Sequence, residues 1–312
     1  MSNLKVNIAG VEFKNPIITA SGTFGFGREY SQYYDLSVLG GISTKGMTIA
    51  EKAGNPTPRI TEIKSGMINC VGLQNPGVDY FLSEHLPWLK TVDTRIIANV
   101  AGSTIEDYIK MCEKVSVDGV DMVELNISCP NVKAGGASLG VDPKNVEQVT
   151  RAVRDVCKKP LMVKLTPNVA NISDNARAAE AGGADSVSLI NTLSGMVVNY
   201  KTRRPILSNN HGGISGPCCK PVALKMVWDC YNAVKIPVVG MGGIMTYTDV
   251  LEFMICGAAA VQVGAANVFN PMASYDIVKD LEAYVKEQDL DINDLVGSLI
   301  AQNSSCTTSC HW

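Results

Sequence analysis

The sequence predicts an α/β protein: a single (β/α)8 TIM barrel with long βα-loop insertions at its C-terminal face. Three observations carry this. Eight short β-branched runs, mostly apolar without interruption, recur with helical segments between them, the pattern of parallel strands covered on their outer face. The 312 residues suit eight β/α units in one domain. Three connections after the runs far exceed the roughly 2–6 residues such loops usually take. A doubly wound open sheet shares this periodicity, which does not show closure.

In chain order the strands are expected at 16–20, 41–44, 96–99, 122–126, 161–164, 186–190, 237–240 and 260–263. Helix starts fall between them. Ser103-Thr-Ile-Glu106 reads as a capping box, Asp142-Pro143 as an N-cap followed by proline at the first helical position, and Thr246-Tyr-Thr-Asp249 opens another helix. The first long connection follows strand two and holds Asn55-Pro-Thr-Pro-Arg59, a hairpin around Lys64-Ser-Gly66, and Asn69-Cys-Val-Gly-Leu73. The second follows strand four and runs from Cys129 through Ala134-Gly-Gly136 to Gly140. The third, 191–217, carries Gly212-Gly213 and Ser215-Gly-Pro217. All three leave the strand ends where such barrels keep their sites. The barrel is expected to occupy 1–300, with 301–312 a short disordered tail.

Chemistry is expected at Glu124-Leu-Asn-Ile-Ser-Cys-Pro-Asn131. An apolar run stops at the amide of Asn126. Three residues on, Cys129 is held before Pro130, which pushes it toward an extended conformation. A thiol so placed can serve as nucleophile or general base, although a free cysteine is commonly just a small buried hydrophobe. The residues closing the strands form a set: Ser21-Gly22, Lys45-Gly46, Asn99, Asn126, Lys164, Asn191-Thr192, Gly242-Gly243 and Gly264-Ala265. Two lysines and three amides, with no carboxylate among them, suit a planar, anion-bearing ligand rich in carbonyl and N–H groups. Glycine pairs after strands seven and eight match the usual phosphate site of such barrels. Flavin mononucleotide or a sugar phosphate would satisfy it.

Composition excludes other classes. Charge is nearly balanced, 27 Lys+Arg against 30 Asp+Glu, with no basic block, so no nucleic-acid partner is expected. The first residues show no apolar signal-peptide region, and the longest apolar stretch, 257–269, is broken by Gln262 and Asn267. A cytoplasmic protein without membrane contact is expected. The ten cysteines are spread through core-like segments, so reduced thiols are expected. Cys306, Cys310 and His311 offer three ligands on a Ser/Thr-rich terminus, too few to predict a metal site. No GxGxxG follows a strand to open a dinucleotide site, and no cysteine spacing fits an iron–sulfur cluster.

Several segments together resemble one family: Ser21-Gly-Thr-Phe-Gly-Phe-Gly-Arg-Glu-Tyr30, Gly54-Asn-Pro-Thr-Pro-Arg59, Asn69-Cys-Val-Gly-Leu-Gln-Asn-Pro76, Ile97-Ala-Asn-Val-Ala-Gly102, Glu124-Leu-Asn-Ile-Ser-Cys-Pro-Asn-Val132, Val163-Lys-Leu-Thr-Pro-Asn-Val169, Ile190-Asn-Thr192 and Val239-Gly-Met-Gly-Gly-Ile244. From about Leu4 to Leu299 the chain is similar to the catalytic subunit of type 1B dihydroorotate dehydrogenase. The resemblance implies a TIM barrel carrying one FMN and oxidising dihydroorotate to orotate in pyrimidine synthesis. It implies Cys129 as general base and Lys164 as a second catalytic group. By matching position, Ser21, Lys45, Gly46, Asn99, Asn126, Lys164, Ile190, Gly216, Gly242, Gly243, Gly264 and Ala265 would hold the flavin. Lys45, Asn69, Cys70, Val71, Gly72, Leu73, Asn126, Asn131, Asn191 and Thr192 would meet the pyrimidine. It further implies an electron-transfer partner with FAD and an iron–sulfur cluster passing electrons to NAD, around a homodimer within a heterotetramer. The stand-alone, fumarate-using type 1A enzyme is the alternative. Phe24-Gly-Phe-Gly-Arg28 and Ile190-Asn-Thr-Leu193 favour 1B. An aldolase-like barrel with Lys164 as Schiff-base nucleophile is a remoter one.

Overall fold

In the computed structural model, residues 2–128 and 139–301 are described. Cys129 and Asn131, and the tail from 302 onward, lie outside the described residues.

All eight expected strands form, and they close. In chain order they are β1 (Ile17–Thr19), β2 (Gly41–Ser43), β3 (Arg95–Val100), β4 (Met122–Asn126), β5 (Leu161–Lys164), β6 (Ser186–Leu189), β7 (Val238–Met241) and β8 (Ala258–Val263). Each pairs in parallel with its sequence neighbours, and β8 returns to β1 through Val261 opposite Ile17. The closed barrel, rather than an open sheet, is the outcome. Every residue of β4, β5 and β6 is buried, which is why these strands read as continuous runs without alternation.

Helices on the outside begin where the chain can cap them. Asp142 caps Pro143–Arg154, and Thr246 with Asp249 boxes Tyr247–Ile255. The expected box at Ser103 and Glu106 is shifted by one residue. Thr104 is the N-cap of Ile105–Val115, its hydroxyl accepting from the Asp107 amide at 3.1 Å. Asp107 Oδ2 accepts from the Thr104 amide at 3.2 Å and from the Ser103 amide at 2.9 Å, so one carboxylate satisfies two orphan donors. That phase buries Tyr108, Met111, Cys112 and Val115 on one stripe against the barrel. Among the described residues no helix is long and apolar enough to cross a membrane.

The hairpin expected around Lys64 is present, Ile60–Ile63 against Gly66–Asn69. It belongs to something larger. Gly66–Asn69 also pairs antiparallel with Gly212–Ser215, which pairs with Leu193–Gly195, so the connections after β2 and β6 build one four-stranded sheet. Gly213 is required there: a Cβ would fall 1.9 Å from the Thr192 hydroxyl.

Candidate active site

A cavity of about 240 Å³ opens at the strand ends, walled on one side by the four-stranded sheet. It gathers most of the residues expected to act together. Ser21, Lys45, Gly46, Asn126 and Lys164 line it from the ends of β1, β2, β4 and β5. Ile190, Asn191 and Thr192 follow β6, while Gly242, Gly243, Gly264 and Ala265 follow β7 and β8. Asn69, Val71, Gly72 and Leu73 line it from the first long connection and Gly216 from the third.

Two expected residues stand elsewhere. Asn99 is not a wall residue; it is wholly buried and receives the Asn126 amide on its Oδ1 at 3.3 Å. Cys70 turns into a small separate core with Ile68 and Leu207. Its backbone is engaged as well, the N–H donating to the Arg59 carbonyl and the carbonyl accepting from Asn55 Nδ2 at 2.8 Å. The structure does not bring it to the cavity.

The glycines make a cradle by what they lack. A Cβ on Gly243, at φ +83°, would come within 2.8 Å of the Lys220 amide nitrogen and 3.0 Å of the Gly216 carbonyl. Close backbone packing therefore forbids a side chain there. At Gly264 the situation differs: among the described residues a Cβ would meet nothing nearer than the Ala20 methyl at 3.5 Å, so the absent side chain leaves room in the cavity itself. Bare backbone against a cavity is what an approaching phosphate needs.

Under the cavity lies a group the strand-end reading passed over. Glu124, in the middle of β4, is fully buried, and residues from four other strands converge on it. Ser43 and Asn99 donate to Oε2 at 2.7 and 2.5 Å, and Ser188 and Gln262 donate to Oε1, each at 2.7 Å. Burial pushes this carboxyl up. The Lys164 ammonium and the donors Ser188, Ser43 and Asn99 outweigh it, holding the group below the ordinary carboxylate range. Gln262 Nε2 is committed to Glu124, which leaves its buried Oε1 without a partner while the residue lines the cavity. Ser128, also buried, donates to Asn126 Oδ1 at 2.8 Å and accepts from Asn191 Nδ2 at 2.7 Å. The signals for these residues were a lone charge and a lone amide inside apolar strands.

The arrangement fits a planar heteroaromatic ring with a phosphate arm. Lys45 and Lys164 supply positive charge, the amides donors and acceptors, Gln262 an unmet acceptor, and Gly264 the open backbone.

The family model "Dihydroorotate dehydrogenase" matches residues 3–285. A protein of Alkaliphilus metalliredigens described as dihydroorotate dehydrogenase B (NAD(+)), catalytic subunit, is 55% identical over 298 residues, covering 95% of this chain and 99% of that relative. Proteins of the same description from Thermoanaerobacter pseudethanolicus and Geotalea uraniireducens are 50% and 52% identical, over 95% and 96% of this chain and 99% and 98% of their own lengths.

Proposed function

The chain belongs to the dihydroorotate dehydrogenase family, and from that premise we infer that it oxidises dihydroorotate to orotate in pyrimidine synthesis. It is an oxidoreductase of the NAD-linked B type, which the relatives' descriptions favour over the fumarate-using enzyme. The observation that carries the reading is the convergence of lysines, amides and bare glycine backbone on one cavity at the strand ends.

We propose FMN as the cofactor; when bound, it supplies the electron sink for a hydride. Backbone at Gly216, Gly242, Gly243 and Gly264, with Ala265 adding only a methyl, would hold the phosphate. Ser21, Gly46, Asn126 and Ile190 would hold the ring, with the buried Asn99 acting on it through Asn126. Lys164, almost wholly buried, would supply a positive charge to offset the negative charge of a reduced flavin. Lys45 and the amides of Asn69, Asn126 and Asn191, with Thr192, orient the pyrimidine through its own donors and acceptors. Dihydroorotate must lose a proton from C5 and a hydride from C6, so a base is needed on the face away from the electron sink. Cys129, covalently next to the buried Ser128, is assigned that proton, and Asn131 a contact to the substrate.

The relatives are described as catalytic subunits, which supports a separate electron-transfer subunit for this chain. We assign FAD and an iron–sulfur cluster to that partner and a homodimer of this chain to the centre of the assembly. The test uses the purified chain alone. It should be yellow, with one FMN per chain, and bleach when dihydroorotate is added, releasing orotate. A chain that takes up no flavin, or whose flavin dihydroorotate leaves oxidised, would overturn the assignment.

A further inference from the structure

The chemistry assigned above gives Glu124 nothing to do, yet a fully buried carboxylate is costly unless every partner is arranged for it. What it arranges can be followed outward. An ionised carboxylate only accepts hydrogen bonds, so Asn99 must turn Nδ2 toward it, at 2.5 Å. Asn99 Oδ1 is then left for Asn126, which must present its own Nδ2, at 3.3 Å. Asn126 Oδ1 therefore faces Ser128, whose hydroxyl donates to it at 2.8 Å. Having given its only proton, Ser128 Oγ accepts from Asn191 Nδ2, at 2.7 Å, and Asn191 Oδ1 accepts from the Thr192 amide at 2.8 Å. Oxygen and nitrogen of a primary amide have nearly the same size, so packing alone would not choose between the two orientations of each.

We infer that Glu124 is a positioning residue that sets, from beneath the cavity, which atom of each site amide donates and which accepts, through Asn99, Asn126, Ser128 and Asn191. This rests on the reading that flavin and pyrimidine share the cavity. Gln262 supports it independently. Its Nε2 is held by the same carboxylate, so its buried, unpartnered Oε1 is left as an acceptor in the cavity, suited to an N–H of a bound ring. A pyrimidine alternates carbonyl and N–H around its edge. An amide turned the wrong way would set acceptor against acceptor.

The experiment compares the flavin-loaded wild type with Glu124→Gln, which keeps the shape but removes the charge, and with Ser128→Ala, which cuts the chain above Asn126. Orotate affinity is read by calorimetry and the flavin potential by dye equilibration. Glu124→Gln should weaken orotate about tenfold or more, on the scale of one lost hydrogen bond. It should also raise the flavin potential, because the Lys164 charge is no longer offset. Ser128→Ala should weaken orotate similarly and leave the potential unchanged, a division that a general loss of structure would not produce. Wild-type orotate affinity in Ser128→Ala overturns the inference, and that variant decides alone if Glu124→Gln does not fold. A wild type that binds neither FMN nor orotate would instead sink the assigned function, and the inference with it.

Discussion

Lys220 Nζ stands 2.6 Å from Asp249 Oδ1, joining the start of the helix after β6 to the cap of the helix after β7, directly behind Gly243. Asp249 also accepts from the amides of Met245 and Thr246, each at 2.8 Å. One side chain thus caps a helix and ties two neighbouring β/α units beside the glycines that line the cavity after β7.

Asp249→Asn should therefore cost about 1–2 kcal/mol of stability at neutral pH, the range for a lost cap. Burial raises the Asp249 carboxyl, but the Lys220 and backbone hydrogen bonds outweigh it and hold the group below its ordinary value of 3.8. A depressed folded value means the contribution is complete above 3.8 and fades as pH falls through the lower folded value. Urea melts of both proteins should differ at pH 7 and converge in acid. A constant gap down to the acid limit would remove the ionised carboxylate from the account.

Cys129→Ala should bind orotate and FMN almost normally and lose roughly 10²–10⁴ in the rate of flavin reduction, the range for a missing general base. Stopped-flow reduction near the wild-type rate would release Cys129 from its assigned role.

Lys164→Ala should act twice. Removing a charge aimed at developing negative charge slows reduction by roughly 3–4 kcal/mol of barrier. It also removes the cation that helps keep the buried Glu124 ionised, so stability should fall as well. Adding Glu124→Gln should restore much of the stability and none of the rate. Recovery of both, or of neither, would mean that the two charges are not coupled.

Gly264→Ala adds a methyl that meets nothing nearer than 3.5 Å among the described residues. Its thermal melt without flavin should match wild type, while FMN affinity falls about tenfold, the loss expected when a backbone contact to phosphate is blocked. Equal FMN affinity would place the phosphate elsewhere.

Supplied with dihydroorotate and NAD, the isolated chain should form no NADH, yet turn over with artificial dyes. Rapid NADH formation by this chain alone, or efficient fumarate reduction, would remove the need for a partner subunit.

Much of this was legible in the sequence because parallel strands buried on both faces write themselves as apolar runs, and the run ends name the mouth of the barrel. Lys164 and Asn126 were found that way, and their neighbours in the cavity followed. Glu124 was not, because it stands two residues before its strand ends, where a single charge interrupts the run without marking a boundary. Ser128 sat unnoticed between two more conspicuous residues. Cys70 lay within the expected substrate loop, but local spacing does not say which way a side chain in an irregular segment turns. The shifted capping box has the same origin, since Ser103 and Thr104 both offer a hydroxyl and only the buried stripe of the helix selects one. Pairing between the two distant connections leaves no local trace at all.

That last pairing has a consequence during synthesis. Asn69 and Gly213, opposite one another in the four-stranded sheet, are 144 residues apart in the chain. A ribosome adds roughly 5–20 residues each second, so the strand Gly66–Asn69 waits roughly 7–30 s for its second neighbour. Throughout that interval it is an open edge with unpaired N–H and C=O groups, the kind of surface on which nascent chains join one another. Hydrogen exchange on chains stalled before residue 212 should find those amides unprotected; protection there would mean the hairpin is sealed by something else. The wall of the cavity is thus a part of the molecule open to misassembly while the protein is being made.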